Sequence, residues 1–510
     1  MASNGSAALQ HHFQDLQDPR VERTRKPPLI NIVFIAVCGI LSGANSLAAI
    51  HEFAVDRRNW LARYLDLTNG IPSEDTLGRV LARLDPGAFE KCLLSWTRSV
   101  QEVSVEPDGC RRVVLPLIPV CHLECSAVQW GMTKTLRIVP QAPTHPMPEL
   151  AAFLRPFRVH FARSEGPQAL ERYLTGLLTE LPHKTCQAIA DNLPGTSEQR
   201  LQGLLTAMAW DHDGLNRQRV QRMLELPSEG DGVLIFDDTG FAKQGKSSVG
   251  VARQYSGTLG KVGNCQVTVN CHYAERTIAW PVASRLYLPE PWAGDPARRE
   301  TAQVPEEIAF QTKPQIALDL LDQAKAWGVR WACVVADADY GDNPNFLDGL
   351  EERRQRYVAA VRCDFAVSLS RHGGPIQRAD ELLGTFGARS WRTVRWREGS
   401  QGWLRGRFIA VRAWRIRSSG HRRAGWLIGE RTGEGKLKYS WSNFGADATL
   451  ERLVEYAHRR HWVERYHQEA KGLLGWDQYQ GRRWRGFHRH AVAVMLAYSF
   501  LVWREWQGRP

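Results

Sequence analysis

The sequence predicts an α/β fold in which a mixed β-sheet with crossover helices follows helical domains. Short apolar runs, typical of buried strands, alternate with helical patterns in the second half of the chain, at residues 232–236, 331–336 and 357–361. Upstream of residue 228, apolar residues recur mostly at helical spacing. A length of 510 residues suits about three domains.

Residues 1–105 are predicted to form a helical domain. Ser73, followed by Thr76 and Leu77, has the pattern of a helix start. The apolar stretch at residues 29–50 is long enough to span a membrane. Polar residues and glycines interrupt this stretch, however, and it starts too far from Met1 for a typical signal peptide. We therefore expect a buried helical hairpin here.

Three segments follow this domain. Residues 106–147 lack periodicity and contain a proline-rich run, so we predict a linker or junction of irregular structure. Residues 148–228 return to helical spacing and are predicted to form a second helical region. Residues 229–510 are predicted to form the α/β domain, with a β-strand insertion at about 363–445.

The order of elements in the α/β domain predicts its architecture. Strands are expected at residues 232–236, 264–274, 276–288, 331–336 and 357–361, helices at 314–327 (ended by Gly328), 343–356 and 449–471, and strand-like segments at 391–431. Three meandering strands followed by α/β crossovers match a ribonuclease-H-like architecture.

Acidic residues directly follow two of the buried strands. Asp237 and Asp238 are expected to end the first strand, and Asp337 to end the strand at 331–336. Because ligands gather at the carboxyl ends of strands in open α/β sheets, these acids can converge on one site. The alternative is that each aspartate only forms a turn.

A polar stripe lies on the helix predicted at 449–471. Arg460, Glu464, His467 and Lys471 fall on one face at helical spacing. A pair of Mg²⁺ ions about 4 Å apart would need carboxylate ligands such as Glu464, and Arg460 and Lys471 would hold phosphates nearby. The alternative is a solvated face with i,i+4 ion pairs.

Charge favours a polyanionic partner, because the net charge is +12 and the pI about 9.3. Residues 391–431 contain eleven Arg, five Trp and two acidic residues. We predict two DNA-binding surfaces: a strand face with Arg405, Arg407, Arg415 and Arg417, and a C-terminal patch with Arg482, Arg483 and Arg485. The alternative for the first is an arginine-rich sheet face over a tryptophan core.

The cysteine and histidine patterns give little sign of a zinc site. Only Cys121 and Cys125 lie close together among ten cysteines, and no second pair completes a site. Free thiols in a reducing cytoplasm are expected. His488 and His490 could bind a metal, but surface or packing roles fit them better.

Four segments together resemble DDE transposases of the insertion sequence 701 family, within the insertion sequence 4 group. They are LIFDDTGFAKQG (234–245), GVARQYSGTLGKVGNCQV (250–267), VVADADYGDN (334–343) and residues 462–490. The resemblance runs from about residue 147 to the C-terminus. It implies a ribonuclease-H-like fold, Mg²⁺ or Mn²⁺ as cofactor, and strand transfer by a DNA 3′-hydroxyl.

The family motifs identify the expected catalytic, metal-binding residues as Asp238, Asp337 and Glu464. Arg460, Glu464 and Lys471 match the spacing of the group's last motif, whose tyrosine position holds Ala457 here. Asp237 is the neighbour of the first acid, Glu469 is a rival for the glutamate, and Asp339 and Asp342 fit the second motif less well.

Residues 12–105 resemble the N-terminal associated domain of a different insertion-sequence transposase family. That family's own catalytic region does not follow. We therefore hypothesise a fusion, in which one element inserted into the gene of another and the reading frame survived through the junction.

The expected function is DNA transposition: metal-dependent cleavage at insertion-sequence ends and strand transfer into target DNA. The expected partners are terminal inverted repeats, target DNA and further copies of the chain, in a homodimer or larger synaptic complex. The expected location is the bacterial cytoplasm, at the nucleoid. Alternatives are a catalytically silent DNA-binding protein or repressor derived from a decayed transposase, and a nuclease or resolvase that does not join strands.

Overall fold

The computed structural model describes residues 11–13, 16–20, most of 26–96, and 143–507. Within the last range, residues 258–259, 400–401, 418 and 433–434 are not described. The predicted junction at 106–147, with Cys121 and Cys125, lies almost wholly outside the described residues. The chain divides into two compact units, residues 1–131 and the remainder apart from 400–402, and each is described by itself.

The first unit is helical, as the sequence predicts. Its helices are α1 (Leu29–Leu41), α2 (Leu47–Asp56), α3 (Arg58–Leu61) and α4 (Glu74–Leu81). The Ser73 hydroxyl accepts a hydrogen bond from the Thr76 amide and so begins α4. The apolar stretch forms the pair α1 and α2, and Ile32, Val33 and Phe34 are fully buried. Across the described part of the chain, no helix is long and apolar enough to cross a membrane.

The second unit begins with five helices: α5 (Pro148–Leu154), α6 (Glu165–Leu178), α7 (Cys186–Asn192), α8 (Glu198–Thr206) and α9 (His212–Leu224). Side chains of Thr185, Ser197 and Asp211 cap the starts of α7, α8 and α9. The core of this region also contains the C-terminal helix, whose range 491–501 is almost entirely buried.

A mixed sheet of twelve strands forms the centre of the second unit. Its strands before the insertion are β1 (Val233–Ala242), β2 (Ala252–Ser256), β3 (Lys261–Ala274), β4 (Ala279–Leu286), β5 (Cys333–Ala336) and β6 (Tyr357–Val361). Strands β4, β3 and β1 are antiparallel neighbours, and β1, β5 and β6 are parallel neighbours. This order confirms the ribonuclease-H-like architecture. Strand β2, which pairs with β3, was not predicted.

The insertion extends this sheet instead of forming a separate one. It contains β7 (Ala366–Ser368), β8 (Gln377–Arg378), β9 (Arg392–Gly399), β10 (Gly402–Ile416), β11 (Arg422–Arg431) and β12 (Leu437–Ser442). Strand β12 pairs with β6 on one side and β11 on the other, so the insertion continues the catalytic sheet.

Helices cover both faces of the sheet. They are α10 (Glu290–Ala293), α11 (Pro296–Ala302), α12 (Lys313–Ala326), α13 (Ala338–Gly341), α14 (Pro344–Glu352), α15 (Ala379–Gly384), α16 (Leu450–His458), α17 (His461–Gly472) and α18 (Trp484–Gln507). Phe236 of β1 packs in the apolar cluster that contains residues of α12 and α14, whereas Ile235 packs in the cluster with residues of α16 and α17. Alternate β1 residues therefore face different helices.

Two predicted elements differ in the structure. Strand β1 continues through Asp237 and Asp238 to Ala242, because its pairing with β3 outlasts its pairing with β5. The helix predicted at 449–471 is two helices, α16 and α17. Arg459 lies at the break, where its buried guanidinium donates to the carbonyl and carboxylate of Asp231, and i to i+3 hydrogen bonds tighten the turn.

Candidate active site

Two aspartates lie side by side where the parallel strands β1 and β5 separate. Phe236 is paired with Ala336, so the following residues, Asp237 and Asp337, occupy neighbouring positions. The Asp337 carboxylate caps α13 by accepting hydrogen bonds from the amides of Asp339 (3.0 Å) and Tyr340 (3.3 Å). Burial, followed by the charge of Asp337, raises the pKa of Asp237, and burial also raises the pKa of Asp337.

Asp238, the residue predicted as the first metal ligand, faces the other side of β1 from Asp237. Its carboxylate forms an ion pair with the Lys313 ammonium (2.7 Å) at the start of α12 and accepts a hydrogen bond from the Tyr340 hydroxyl. Burial raises the pKa of Asp238, although Lys313 opposes the shift. Adjacent residues of a strand point to opposite faces, so the strand separates the Asp238 carboxylate from the Asp237 carboxylate.

Arg460 links the third predicted acid, Glu464, to Asp237. The Arg460 guanidinium is 3.6 Å from the Asp237 carboxylate and is also ion-paired with the Glu464 carboxylate. The Glu464 side chain is 54 % exposed, so it is free to approach the aspartates from solvent. One cationic group thus links two carboxylates on different elements.

Two residues near Asp237 have no predicted role. His467 Nδ1 lies 3.9 Å from the Asp237 carboxylate, and its Nε2 lies 3.1 Å from the Asn270 amide nitrogen. Burial lowers the pKa of His467 to about 3, so the ring is neutral. The Asn270 amide also donates to the Asp237 carbonyl. His467 belongs to the predicted polar stripe, but Asn270 carries no sequence signal beyond its place in a strand.

Lys471 lies beside the end of β1, with its ammonium 2.8 Å from the Gly240 carbonyl. Burial lowers the pKa of Lys471 to about 8, and the charges of Asp477 and Asp237 oppose this shift. The ammonium also lies over the Phe241 ring. Lys471 is therefore on the same side of the sheet as Asp237.

The rival acids have other partners. Glu469 is buried on the far side of α17, where it accepts hydrogen bonds from Arg465 and the Tyr498 hydroxyl. Asp339 and Asp342 pair with Arg362. Tyr456, one position from the motif's tyrosine, is buried and accepts hydrogen bonds from Arg452.

The donor set fits a hard divalent cation. Carboxylate oxygens are the ligands that Mg²⁺ and Mn²⁺ prefer. Buried Asp237 and half-buried Asp337 both have raised pKa values, and a cation between them would relieve the repulsion of their charges. Within the described residues, no three His, Cys, Asp or Glu side chains are already grouped closely enough to hold a metal. The third carboxylate, Glu464, stays with Arg460.

The insertion arginines divide into exposed and internal residues. Arg405 and Arg407 are exposed on β10, and the Arg407 guanidinium donates to the carbonyls of Ala388 and Trp391. The prediction that Arg415 and Arg417 offer their charges to DNA is wrong. Arg415 is 2 % exposed, and both guanidinium groups bind the carboxylates of α14, at Asp348 and Glu351.

The C-terminal segment has an exposed basic edge and a buried side. Arg482, Arg483 and Arg485 are exposed, which leaves them available for DNA. His490 is buried, with Nδ1 2.8 Å from the Tyr173 hydroxyl and Nε2 3.2 Å from the Trp476 carbonyl. His488 contacts the backbone of Leu286 and Trp484, so both histidines pack internally. The seven described cysteines are free.

Strand order and the placement of acids at the ends of β1 and β5 define a ribonuclease-H-like nuclease class. Within this class, two family models match: DDE superfamily endonuclease over residues 156–402 and Transposase DDE domain over residues 311–500. Together they span most of the second unit, and the chain belongs to the DDE transposases. A third model, DDE_Tnp_1-associated, matches residues 10–97.

Curated relatives include transposases of insertion sequences. A probable transposase for insertion sequence element IS701 from Microchaete diplosiphon is 28 % identical over 61 % of this chain and 76 % of its own length. A putative transposase, YncI, from Escherichia coli O157:H7 is 34 % identical over 19 % of this chain and 25 % of its own length. A piggyBac transposase synaptic complex with hairpin DNA covers 71 % of this chain and 79 % of its own at 11 % identity, with a TM-score of 0.32.

Proposed function

We propose that this transposase cleaves insertion-sequence ends and transfers the strands to target DNA, using Asp237, Asp337 and Glu464 to hold divalent metal ions. Asp237 replaces the sequence-based choice of Asp238. The observation that carries the proposal is the adjacent pair Asp237 and Asp337, with Arg460 joining Asp237 to Glu464.

The proposed cofactor is a pair of Mg²⁺ or Mn²⁺ ions. When bound, such ions activate the attacking oxygen and stabilise the leaving 3′ oxygen of a phosphodiester. Asp237 and Asp337 provide fixed ligands because β1 and β5 hold their backbones, whereas Glu464 is delivered by α17. Neutral His467 lies beside the Asp237 carboxylate, and Asn270 contacts both the His467 ring and the Asp237 backbone carbonyl.

Cationic residues around the carboxylates are proposed to position DNA. Arg460 offers a planar fork for a phosphate, and Lys471 a point charge near the end of β1. Arg405 and Arg407 on the insertion and Arg482, Arg483 and Arg485 before α18 extend this surface.

The proposed complex contains two terminal inverted repeats and at least two copies of the chain, because joining both ends of an element requires both to be held together. A DNA substrate places the protein in the bacterial cytoplasm, at the nucleoid. For domain roles, we propose residues 148–228 as the DNA-binding region that precedes the catalytic domain at 229–510, and residues 1–105 as a remnant of a different element.

The experiment is a transposition reaction with the full chain, a duplex from DNA flanking the gene, and a supercoiled target plasmid. We expect Mg²⁺-dependent cutting and joined products, both absent in Asp337→Asn, which should still bind DNA. Cut but unjoined products would replace transposition with nuclease or resolvase activity. DNA binding without cutting by the wild type would support the silent DNA-binding protein instead.

A further inference from the structure

The hairpin formed by β2 and β3 is basic and continues from the sheet that holds the proposed site. Residues 239–274, which run from β1 to the end of β3, contain four cationic side chains and no acidic one. Two of them, Arg253 and Lys261, lie on the hairpin and are exposed. Neither has an acidic partner within the described part of the chain.

The same hairpin also exposes two large apolar side chains to solvent. Tyr255 is 58 % exposed and Val262 is 54 % exposed, and these two residues are directly paired across the strands. Arg253 follows the same face as Tyr255, and Lys261 lies on the other face. Among the described residues of the hairpin, each face therefore has exposed side chains.

Strand register gives the distance from the hairpin to the carboxylates. Asn270 of β3 is paired with Asp237, and Val262 lies eight positions further along the strand. At about 3.4 Å per residue, the tip lies about 27 Å beyond Asp237, past the carboxyl end of β5. That distance corresponds to about eight base pairs of duplex DNA.

We propose that the β2–β3 hairpin binds the backbone of the DNA duplex about eight base pairs from the cleaved phosphate. Arg253 and Lys261 supply the charges that meet phosphates. Tyr255 and Val262, on the same face as Arg253, pack beside it against the sugars. This inference rests on the proposed function, because cleavage at Asp237 and Asp337 sets the position of the DNA.

The positive charge of the hairpin favours DNA as the partner over a second copy of the chain. A self-complementary contact would bring four unpaired cations of two hairpins together without an acid on either hairpin. Phosphates neutralise such cations and release counterions, which makes binding favourable and dependent on salt.

The test compares Arg253→Ala/Lys261→Ala with a matched control, Lys325→Ala/Arg330→Ala, which removes two exposed cations from the end of α12 and the loop before β5. Binding of the full chain to a duplex of unrelated sequence is measured against salt concentration without divalent metal. We expect the hairpin variant to reduce the slope of log K against log salt by about 2 units and to bind about tenfold more weakly. The charge-conserving Arg253→Lys/Lys261→Arg should keep the wild-type slope.

Equal slopes for the hairpin and control variants would overturn the inference. So would a hairpin variant that changes only the oligomeric state in sedimentation, because that result assigns the surface to a second copy. The binding assay requires no cleavage, so loss of activity in the transposition reaction would affect the proposed function and leave this measurement interpretable.

Discussion

The side of a strand on which a carboxylate lies decides what it can do in this protein. Asp237 and Asp238 are consecutive aspartates, yet one lies beside Asp337 and the other binds Lys313. The sequence predicted that acids would gather at the ends of β1 and β5, and its motif favoured Asp238 over Asp237. Which of the two lies beside Asp337 depends on the face of β1 that each residue occupies, and a motif does not contain that information.

Buried histidines give the protein a predictable response to acid. Burial lowers the pKa of His490 from 6.5 to about 4. The unfolded chain therefore binds a proton at this histidine below pH 6.5, whereas the native state binds it only below about pH 4. The free energy of unfolding therefore falls as the pH falls from 6.5 to 4. We expect a loss of about 3 kcal/mol from His490 alone, measured as the urea midpoint of the second unit.

The His490→Phe variant should be less stable than the wild type at neutral pH but lose less stability between pH 6.5 and 4. His372→Phe, at an exposed position, is the matched control and should follow the wild type. An unchanged pH dependence in His490→Phe would contradict the assignment of a neutral buried ring.

Helix α13 connects the position of Asp337 in the candidate active site to the packing of the sheet. It begins at Asp337, and Gly341 at its other end lies so near β6 that an added Cβ would be 1.9 Å from the Ala360 carbonyl oxygen. We expect Gly341→Ala to destabilise the protein by about 1–3 kcal/mol and to reduce DNA cleavage by displacing Asp337.

Gly384→Ala provides the control for this prediction. Gly384 also ends a short helix, α15, and an added Cβ there meets nothing within 4 Å. Its melting temperature and cleavage rate should match the wild type. Normal cleavage by Gly341→Ala would show that α13 does not fix the position of Asp337.

The sequence predicted DNA binding for Arg405 and Arg415 alike, but the structure exposes the first and buries the second. Arg405→Ala should weaken DNA binding and leave the melting temperature unchanged, because Arg405 is exposed. Arg415→Ala should lower the melting temperature and cost about 1–3 kcal/mol of stability. It removes the buried guanidinium that binds Asp348 and Glu351 and leaves the more exposed Arg417 as their partner. The reverse pattern, measured by anisotropy and calorimetry, would restore the original assignment.

Local patterns predicted most elements and long-range contacts decided the rest. The strands β1, β5 and β6 were predictable because buried strands are continuous apolar runs. The break between α16 and α17 was not, since it depends on Arg459 contacting Asp231, 228 residues away. The same applies to the pairing of His467 with Asn270, and to the ion pairs that bury Arg415.

At the scale of the whole molecule, the chain contains two units with separate relatives. The first matches a family model over residues 10–97, and the IS701-type relative covers 61 % of the chain. Each unit has its own apolar core. The fusion hypothesis predicts that a chain lacking residues 1–146 folds and cleaves end DNA at the wild-type rate, with α5 as its first helix.

Comparison of purified full-length and truncated chains, by circular dichroism and cleavage rate, checks this prediction. A truncated chain that is insoluble, or folded but inactive, would mean that the first unit serves the second. In that case the two units function together and the fusion remnant idea is wrong.

The measurement that tests the central claim most directly is Mg²⁺-dependent cleavage of end DNA by single variants of the four acids. We expect Asp237→Asn, Asp337→Asn and Glu464→Gln to fall to background while retaining DNA binding. Asp238→Asn changes only the contacts with Lys313 and Tyr340. Its cleavage rate should fall about 10–100-fold and remain dependent on metal. Activity in Asp237→Asn with none in Asp238→Asn would contradict the account and return the first metal ligand to Asp238.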